Sequence, residues 1–288
     1  MPIRNPIEWG VDQFKYTIFG VESANRGLLQ TEADARLPLP VVRRITVADL
    51  REVLAQGASD FGANRTDVIF LCVLYPVIGV VLASLAAGHH MLPLLFPLAS
   101  GFALIGPFAG VGLNEISRRR ELGIGAGWTD AFRVLSSPSL GAIILLGLVL
   151  TTVFFFWLVT AYAIYDLTMG PWLPASPAVF IHDVLLTRPG RELIVVGVGV
   201  GFLFAAVVLV ISVVAFPLLL DRTVGVEVAV RTSVRAAIVN PGPIFLWGLI
   251  VAGGLVIGSI PVFVGLIVVL PVLGHSTWHL YRKMVVPR

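Results

Sequence analysis

Two histidines near the C-terminus have a spacing that suits metal or haem ligation. His275 and His279 lie four residues apart in the stretch GHSTWHLYR, so a helix would place both rings on one face. The pair has no neighbouring cysteine and no certain third ligand, and an interfacial belt shared with Trp278 and Tyr281 is the favoured interpretation. The sequence contains no hydrolase motif of the Ser/His/Asp or Cys/His type. We therefore expect a non-enzymatic protein with no catalytic residue and no cofactor.

The elements that position these histidines must be membrane helices. Of the 288 residues, 57% are apolar and 13% are charged, whereas a soluble domain carries about 25% charged residues. Such a chain cannot cover a water-facing surface, which excludes a cytosolic globular enzyme, a disordered chain and a disulfide scaffold. Acidic and basic residues balance before the first apolar run, so nucleic acid is not an expected partner. The composition predicts an all-α, polytopic membrane protein whose main contact is the lipid bilayer.

Continuous apolar runs predict a cytoplasmic N-terminal region over 1–66 and a transmembrane domain over 67–288. The last run needs two spans, because the 46 residues between Arg235 and Arg282 carry no Asp, Glu, Lys or Arg. As one helix they would extend about 69 Å, against a hydrocarbon core of about 30 Å. The six predicted spans are 68–88, 92–116, 140–165, 193–220, 243–258 and 261–281.

Charge predicts the orientation of these spans. In the six-span arrangement, 18 of the 20 basic residues fall on the side of the two termini. The exceptions are Arg188 and Arg191, in the opposite 166–191 loop. The positive-inside rule therefore places the N- and C-termini in the cytoplasm.

Three amphipathic helices are predicted outside the spans. One lies near 46–61, where Thr46 and Asp49 fit an N-terminal capping pattern. The other two connect spans 2 and 3 and spans 4 and 5, within a parallel internal repeat in which TDAFRVLSSP (129–138) aligns with TSVRAAIVNP (232–241). These connectors either lie in the membrane interface or pack beneath the bundle. The predicted interfacial residues are Trp128, Arg118, Arg119, Arg120, Arg231, Arg235, Trp278 and Tyr281.

Glycines spaced four residues apart predict faces where helices pack closely. Such faces let the backbones of neighbouring spans approach each other. Packing is favoured over phosphate binding, because the strand, turn and helix of a phosphate-binding loop are missing. The predicted packing glycines are Gly106, Gly110, Gly197, Gly201, Gly254 and Gly258.

Several segments together resemble a bacterial integral membrane family, the domain of unknown function 2189. They are FPLASGFALIGPFAGVGLNEISRRRELG (96–123), FPLLLDRTVGVEVAVRTSVRAAIVNP (216–241), the ending VVLPVLGHSTWHLYRKMV and the entry ITVADLREVLAQGASDF. The resemblance implies that the spans lie in a bacterial inner membrane. Some members are labelled putative cytochrome c oxidase subunits, which implies membership in a respiratory assembly. The ligand pattern of a catalytic oxidase subunit is not visible in this sequence.

Two functions remain open at this point. The first is an accessory, scaffold or assembly subunit of a larger membrane complex, with other membrane proteins as partners. It is supported by the small-residue faces and by spans without a charged residue at mid-depth. The alternative is a transporter or channel for a small uncharged solute. It is supported by the repeat and by the matched prolines Pro107 and Pro217.

Overall fold

The computed structural model describes residues 39–63, 84, 92–125, 127–171, 174–261 and 263–287. Its regular elements are all helical. The α-helices are α1 (Val47–Ala63), α2 (Leu95–Ala109), α3 (Val111–Glu121), α4 (Leu140–Met169), α5 (Pro177–Leu186), α6 (Arg188–Ser212), α7 (Ala215–Asp221), α8 (Val226–Val239), α9 (Pro241–Ser259) and α10 (Leu266–Met284). Two 3₁₀ helices cover Leu92–Leu94 and Trp128–Ser136. An antiparallel bridge joins Val42 to Val285. The prediction of an all-α fold is confirmed.

Three helical segments in the described part of the chain are long and apolar enough to cross a membrane. They are Leu140–Met169, Arg188–Asp221 and Pro241–Ser259, and they coincide with predicted spans 3, 4 and 5. Predicted span 1, residues 68–88, lies outside the described residues. Helices α2 with α3, and α10, occupy the positions of spans 2 and 6. The count of six spans remains a prediction.

The segment predicted as the 166–191 loop contains helix α5. Ser176 explains where this helix begins, since its hydroxyl accepts a hydrogen bond from the Val179 N–H at 3.3 Å. Pro177 occupies the first turn, where its missing N–H leaves no hydrogen bond unmade. The pair Ser176-Pro177 is therefore a helix-start signal that the loop prediction overlooked.

Each half of the predicted repeat contains a helix that is interrupted near a proline. Helices α2 and α3 are separated at Gly110, three residues after Pro107. Helices α6 and α7 are separated at Val213 and Val214. Pro217 accounts for the second break, because its ring clashes with the carbonyl of the residue four positions earlier, Val213.

Side chains form hydrogen bonds with the backbone at the second break, and two aromatic rings contact each other between the second break and the first. The N–H of Val214 donates to Ser233 Oγ at 3.2 Å, and that hydroxyl donates to the Val210 carbonyl at 2.8 Å. The backbone N–H of Val214 therefore keeps a hydrogen-bond partner although the helix is interrupted there. The rings of Phe108 and Phe216 lie 6.1 Å apart between centroids. The two interrupted helices thus meet beside their breaks.

Helix α1 packs along α10 at very close range. Thr46 and Asp49 cap its start through three hydrogen bonds of 2.7–3.4 Å, as the capping pattern predicts. Leu50 and Val53 are buried in the main core. One turn further on, a Cβ atom on Gly57 would lie 2.7 Å from Ser276 N and 2.8 Å from the Val272 carbonyl. The backbone of α10 leaves space for a glycine only.

This close approach can be tested with two substitutions on one helix. Gly57→Ala should destabilise the protein by about 1–3 kcal/mol, because the added methyl group forces the backbones of α1 and α10 apart. The matched control is Gly62→Ala, since no described atom lies within 4 Å of a Cβ at that position. The control should be neutral or stabilising by up to about 1 kcal/mol. Thermal unfolding in detergent measures both, and equal melting temperatures for the two variants would contradict the packing.

Candidate functional site

A buried cluster of polar side chains lies where α1, α3 and α10 meet. Helix α10 supplies His275 and His279, one turn apart. Helix α3 supplies Ser117 and Arg120, also one turn apart, and α1 supplies Asp60. We call these five residues the polar junction.

Asp60 is the centre of the polar junction. The residue is only 5% exposed. Oδ2 accepts hydrogen bonds from Ser117 Oγ at 2.6 Å and from His279 Nε2 at 2.8 Å. Oδ1 lies 3.1 Å from Arg120 Nη1. Two neighbouring helices therefore neutralise and solvate a carboxylate that burial has removed from water.

The partners of Asp60 lower its pKa. Burial raises the pKa, but the hydrogen bonds from His279 and Ser117 outweigh burial and hold it below the usual value of 3.8. Asp60 is therefore ionised at neutral pH and can only accept hydrogen bonds.

Ser117 links Asp60 to a second histidine. Ser117 Oγ lies 2.8 Å from His275 Nδ1. The single hydroxyl proton of Ser117 is donated to Asp60, so Oγ accepts the bond from His275, and His275 carries its proton on Nδ1. His275 Nε2 then bears a lone pair, and this buried atom has no hydrogen-bond partner among the described protein atoms. A chain of hydrogen bonds thus joins His275 to Asp60 through Ser117.

A cleft of about 420 Å³ adjoins the polar junction. Acidic, basic and uncharged polar side chains all line it. Its lining residues are Gln56, Asp60, Ser117, Arg120, Glu121, His279, Arg282 and Lys283. Four of the five residues of the polar junction thus line this cleft, and His275 does not.

The structure separates the two histidines predicted as a metal or haem pair. His275 bonds to Ser117, whereas His279 bonds to Asp60. Within the described ranges, no group of three or more His, Cys, Asp or Glu side chains is arranged to hold a metal ion. The chemistry of the pair in this structure is hydrogen bonding.

Trp278 and Tyr281 are buried in protein, at 1% and 0% exposure. Trp278 Nε1 donates to Glu121 Oε2 at 2.8 Å, and the Tyr281 hydroxyl donates to Asp221 Oδ2 at 2.6 Å. These contacts correct the expectation that the two rings face lipid headgroups, because polar partners on α3 and α7 draw them inward.

The predicted interfacial arginines mostly have acidic partners. Arg118 forms a two-pronged ion pair with Glu115 at 2.7 and 2.9 Å. Arg119 lies 3.5 Å from Asp130, and Arg231 lies 3.2 Å from Glu227. Arg235 is exposed on α8. Trp128 is the first residue of the 3₁₀ helix in the first connector. The second connector differs in helix type, since it forms the α-helix α8.

The predicted packing glycines fall into two groups. A Cβ on three of them would lie against a neighbouring side chain: 3.0 Å from Trp157 for Gly201, 3.2 Å from Val269 for Gly254 and 2.7 Å from Leu266 for Gly258. No described atom lies within 4 Å of a Cβ on Gly106 or Gly197, and Gly110 faces only carbonyls of its own turn. Close helix packing is therefore seen along α9 and at Gly201.

Sequence reasoning missed Asp60 and Ser117, although one signal for Asp60 was available. Leu50, Val53, Gly57 and Asp60 follow a helical spacing that places them on one face, and all four are buried. An acidic residue on the apolar face of a helix needs a partner. Ser117 has no comparable signal, since a serine beside three arginines is ordinary at the end of a helix.

The described helices define a helical integral membrane protein. Residues 95–221 match the model of the family described as "Predicted integral membrane protein (DUF2189)", which confirms the resemblance over α2 to α7. No curated protein matches the chain, and no solved structure matches it. Ser117 and Arg120 lie within the matched region, whereas Asp60, His275 and His279 lie outside it.

The charge on Asp60 predicts a pH dependence of stability. Its folded pKa lies below 3.8, so its stabilising contribution is complete above the unfolded pKa and is lost as the pH falls through the folded one. Between about pH 5 and about pH 3, the melting temperature of the wild type should therefore drop more than that of Asp60→Asn. The variant should be less stable at neutral pH. Parallel melting curves for the two proteins over this range would contradict the assignment.

Proposed function

We propose that the protein is a non-enzymatic accessory, scaffold or assembly subunit of a larger membrane complex. The observation that carries this proposal is the exposure of the segment Arg188–Asp221, in which only 6% of the most apolar stretch is buried within the chain. Lipid tails and partner helices are equally apolar, so association in a membrane depends on the fit between surfaces. A long span that the described residues of the chain leave uncovered offers such a surface to another membrane protein.

The arrangement of polar groups also supports a structural role. At the α10 end of the molecule, ion pairs and hydrogen bonds hold the helices to one another. Lys283 bonds to Glu52 at 2.7 Å, and Arg282 bonds to Glu121 at 2.9 Å. Both contacts join α10 to another helix. These contacts favour a rigid arrangement of α1, α3 and α10 at this end of the spans.

We place this polar end in the cytoplasm and the spans in a bacterial inner membrane. The basic residues near the ends of α3, α7 and α10 support this orientation under the positive-inside rule. We also propose that this complex is a respiratory assembly, as the label carried by some members of the similar family implies.

The two interrupted helices favour a second candidate, a transporter or channel for a small uncharged solute. Transporters build their sites from discontinuous helices in matching halves. Here the breaks at Gly110 and Val213 are joined through Phe108 and Phe216. Solute flux through liposomes that contain only the purified protein would favour this candidate over the scaffold.

Site-specific photocrosslinking in native membranes tests the scaffold proposal. A crosslinking amino acid at Val195, which is 73% exposed on α6, should give one discrete product with a second membrane protein. The matched control is Val208 on the same helix, which is 3% exposed and should crosslink only within the chain. If Val195 gives lipid adducts and no protein product, α6 has no protein partner and the proposal fails.

A further inference from the structure

A second cleft lies where the chain before α1 meets the junction of α8 and α9. It has a volume of about 330 Å³. Among the described residues that line it, Arg44 alone is charged, and the others are Ile45, Ile238, Val239, Asn240, Pro241 and Pro243. We call it the Arg44 cleft. A cleft lined by a single sign of charge attracts ligands of the opposite sign, here anions.

The backbone on both sides of Arg44 is held in place. The Asn240 side chain, between α8 and α9, accepts a hydrogen bond from the Ile45 N–H at 2.8 Å and donates one to the Arg43 carbonyl at 3.0 Å. The Arg43 N–H donates to the Met284 carbonyl at 2.7 Å. A ligand at the Arg44 cleft therefore binds to a segment of chain that is already ordered, which lowers the entropic cost of binding.

A second arginine lies beside the cleft on the exposed face of α8. Arg235 is one turn before Ile238 and Val239, which line the cleft. Arg44 and Arg235 are both exposed, and neither forms an ion pair within the described part of the chain. Arg231, one turn earlier on α8, differs because a carboxylate lies 3.2 Å from it. Two guanidinium groups thus remain available for an anionic group.

The Arg44 cleft lies at the start of α9, beside an apolar strip. Helix α9 is long and apolar enough to cross a membrane, which places the residues at its start near the lipid headgroups. Pro241, Phe245 and Leu249 follow at four-residue spacing along α9, and all three are exposed. Ile238, in the cleft lining, is 72% exposed. An anion held by the arginines would therefore have an apolar surface next to it on the membrane side.

We propose that Arg44 and Arg235 bind the phosphate group of an anionic phospholipid at the start of α9. A guanidinium group can donate two parallel hydrogen bonds to one phosphate, and basic pockets beside membrane helices suit anionic headgroups. The exposed strip of Pro241, Phe245 and Leu249 packs against the acyl chain, which favours a lipid over a free phosphate ion. This site goes beyond the scaffold role and does not depend on it.

Native mass spectrometry of the full-length protein in uncharged detergent tests the site with defined lipids. Phosphatidylglycerol and phosphatidylcholine with identical acyl chains are titrated separately, and the dissociation constant of the first bound lipid is measured. We expect tighter binding of phosphatidylglycerol, because only this lipid has a net negative charge. Arg44→Gln and Arg235→Gln should each weaken its binding about fivefold and leave the binding of phosphatidylcholine unchanged. If one variant fails to fold, the other carries the test.

Two controls separate this site from general attraction between charges. Arg191→Gln removes the same charge from an exposed residue at the opposite end of the spans and should keep the wild-type affinity for phosphatidylglycerol. Inorganic phosphate at millimolar concentration should not displace the lipid. The proposal would be overturned by equal affinities for the two lipids, by unchanged affinity in the folded Arg44→Gln or Arg235→Gln variant, by an equal loss in Arg191→Gln, or by displacement with free phosphate.

Discussion

The burial of one carboxylate constrains the whole α10 end of the molecule. An ionised group removed from water is strongly destabilising unless charges and hydrogen-bond donors replace the solvent. Among the described residues, α3 and α10 supply such donors to Asp60, so the carboxylate is stabilised when three helices are in place together. The polar junction therefore selects one arrangement of these helices. Packing of apolar side chains alone would select it less sharply.

Other features of the fold follow from keeping α1 against α10. Gly57 permits the close approach that brings Asp60 within reach of His279. The chain before α1 is held by Asn240, whose side chain bonds to the Ile45 N–H at 2.8 Å and to the Arg43 carbonyl at 3.0 Å. The bridge between Val42 and Val285 closes the same region from the end of α10. The spans, by contrast, carry their apolar surface outward, as a bilayer or a partner helix requires.

The sequence predicts the elements well and their contacts poorly. Continuous apolar runs locate α4, α6 and α9, because a run of about twenty apolar residues matches the thickness of a membrane. The capping pattern at Thr46 locates the start of α1. The contact between Asp60 and His279 spans 219 residues, and no local pattern encodes it. For the same reason the sequence predicts lipid headgroups around Trp278 and Tyr281, since their partners Glu121 and Asp221 lie far away in the chain.

Asp60 and His279 stabilise the fold through their direct contact, and a double-mutant cycle measures the coupling energy between them. The free energy of unfolding in detergent micelles is determined for the wild type, Asp60→Asn, His279→Gln and the double variant. Direct contact predicts that the two substitutions are not additive, with a coupling energy of about 1–3 kcal/mol. Additive effects, to within about 0.5 kcal/mol, would show that the two side chains act separately and would contradict the account.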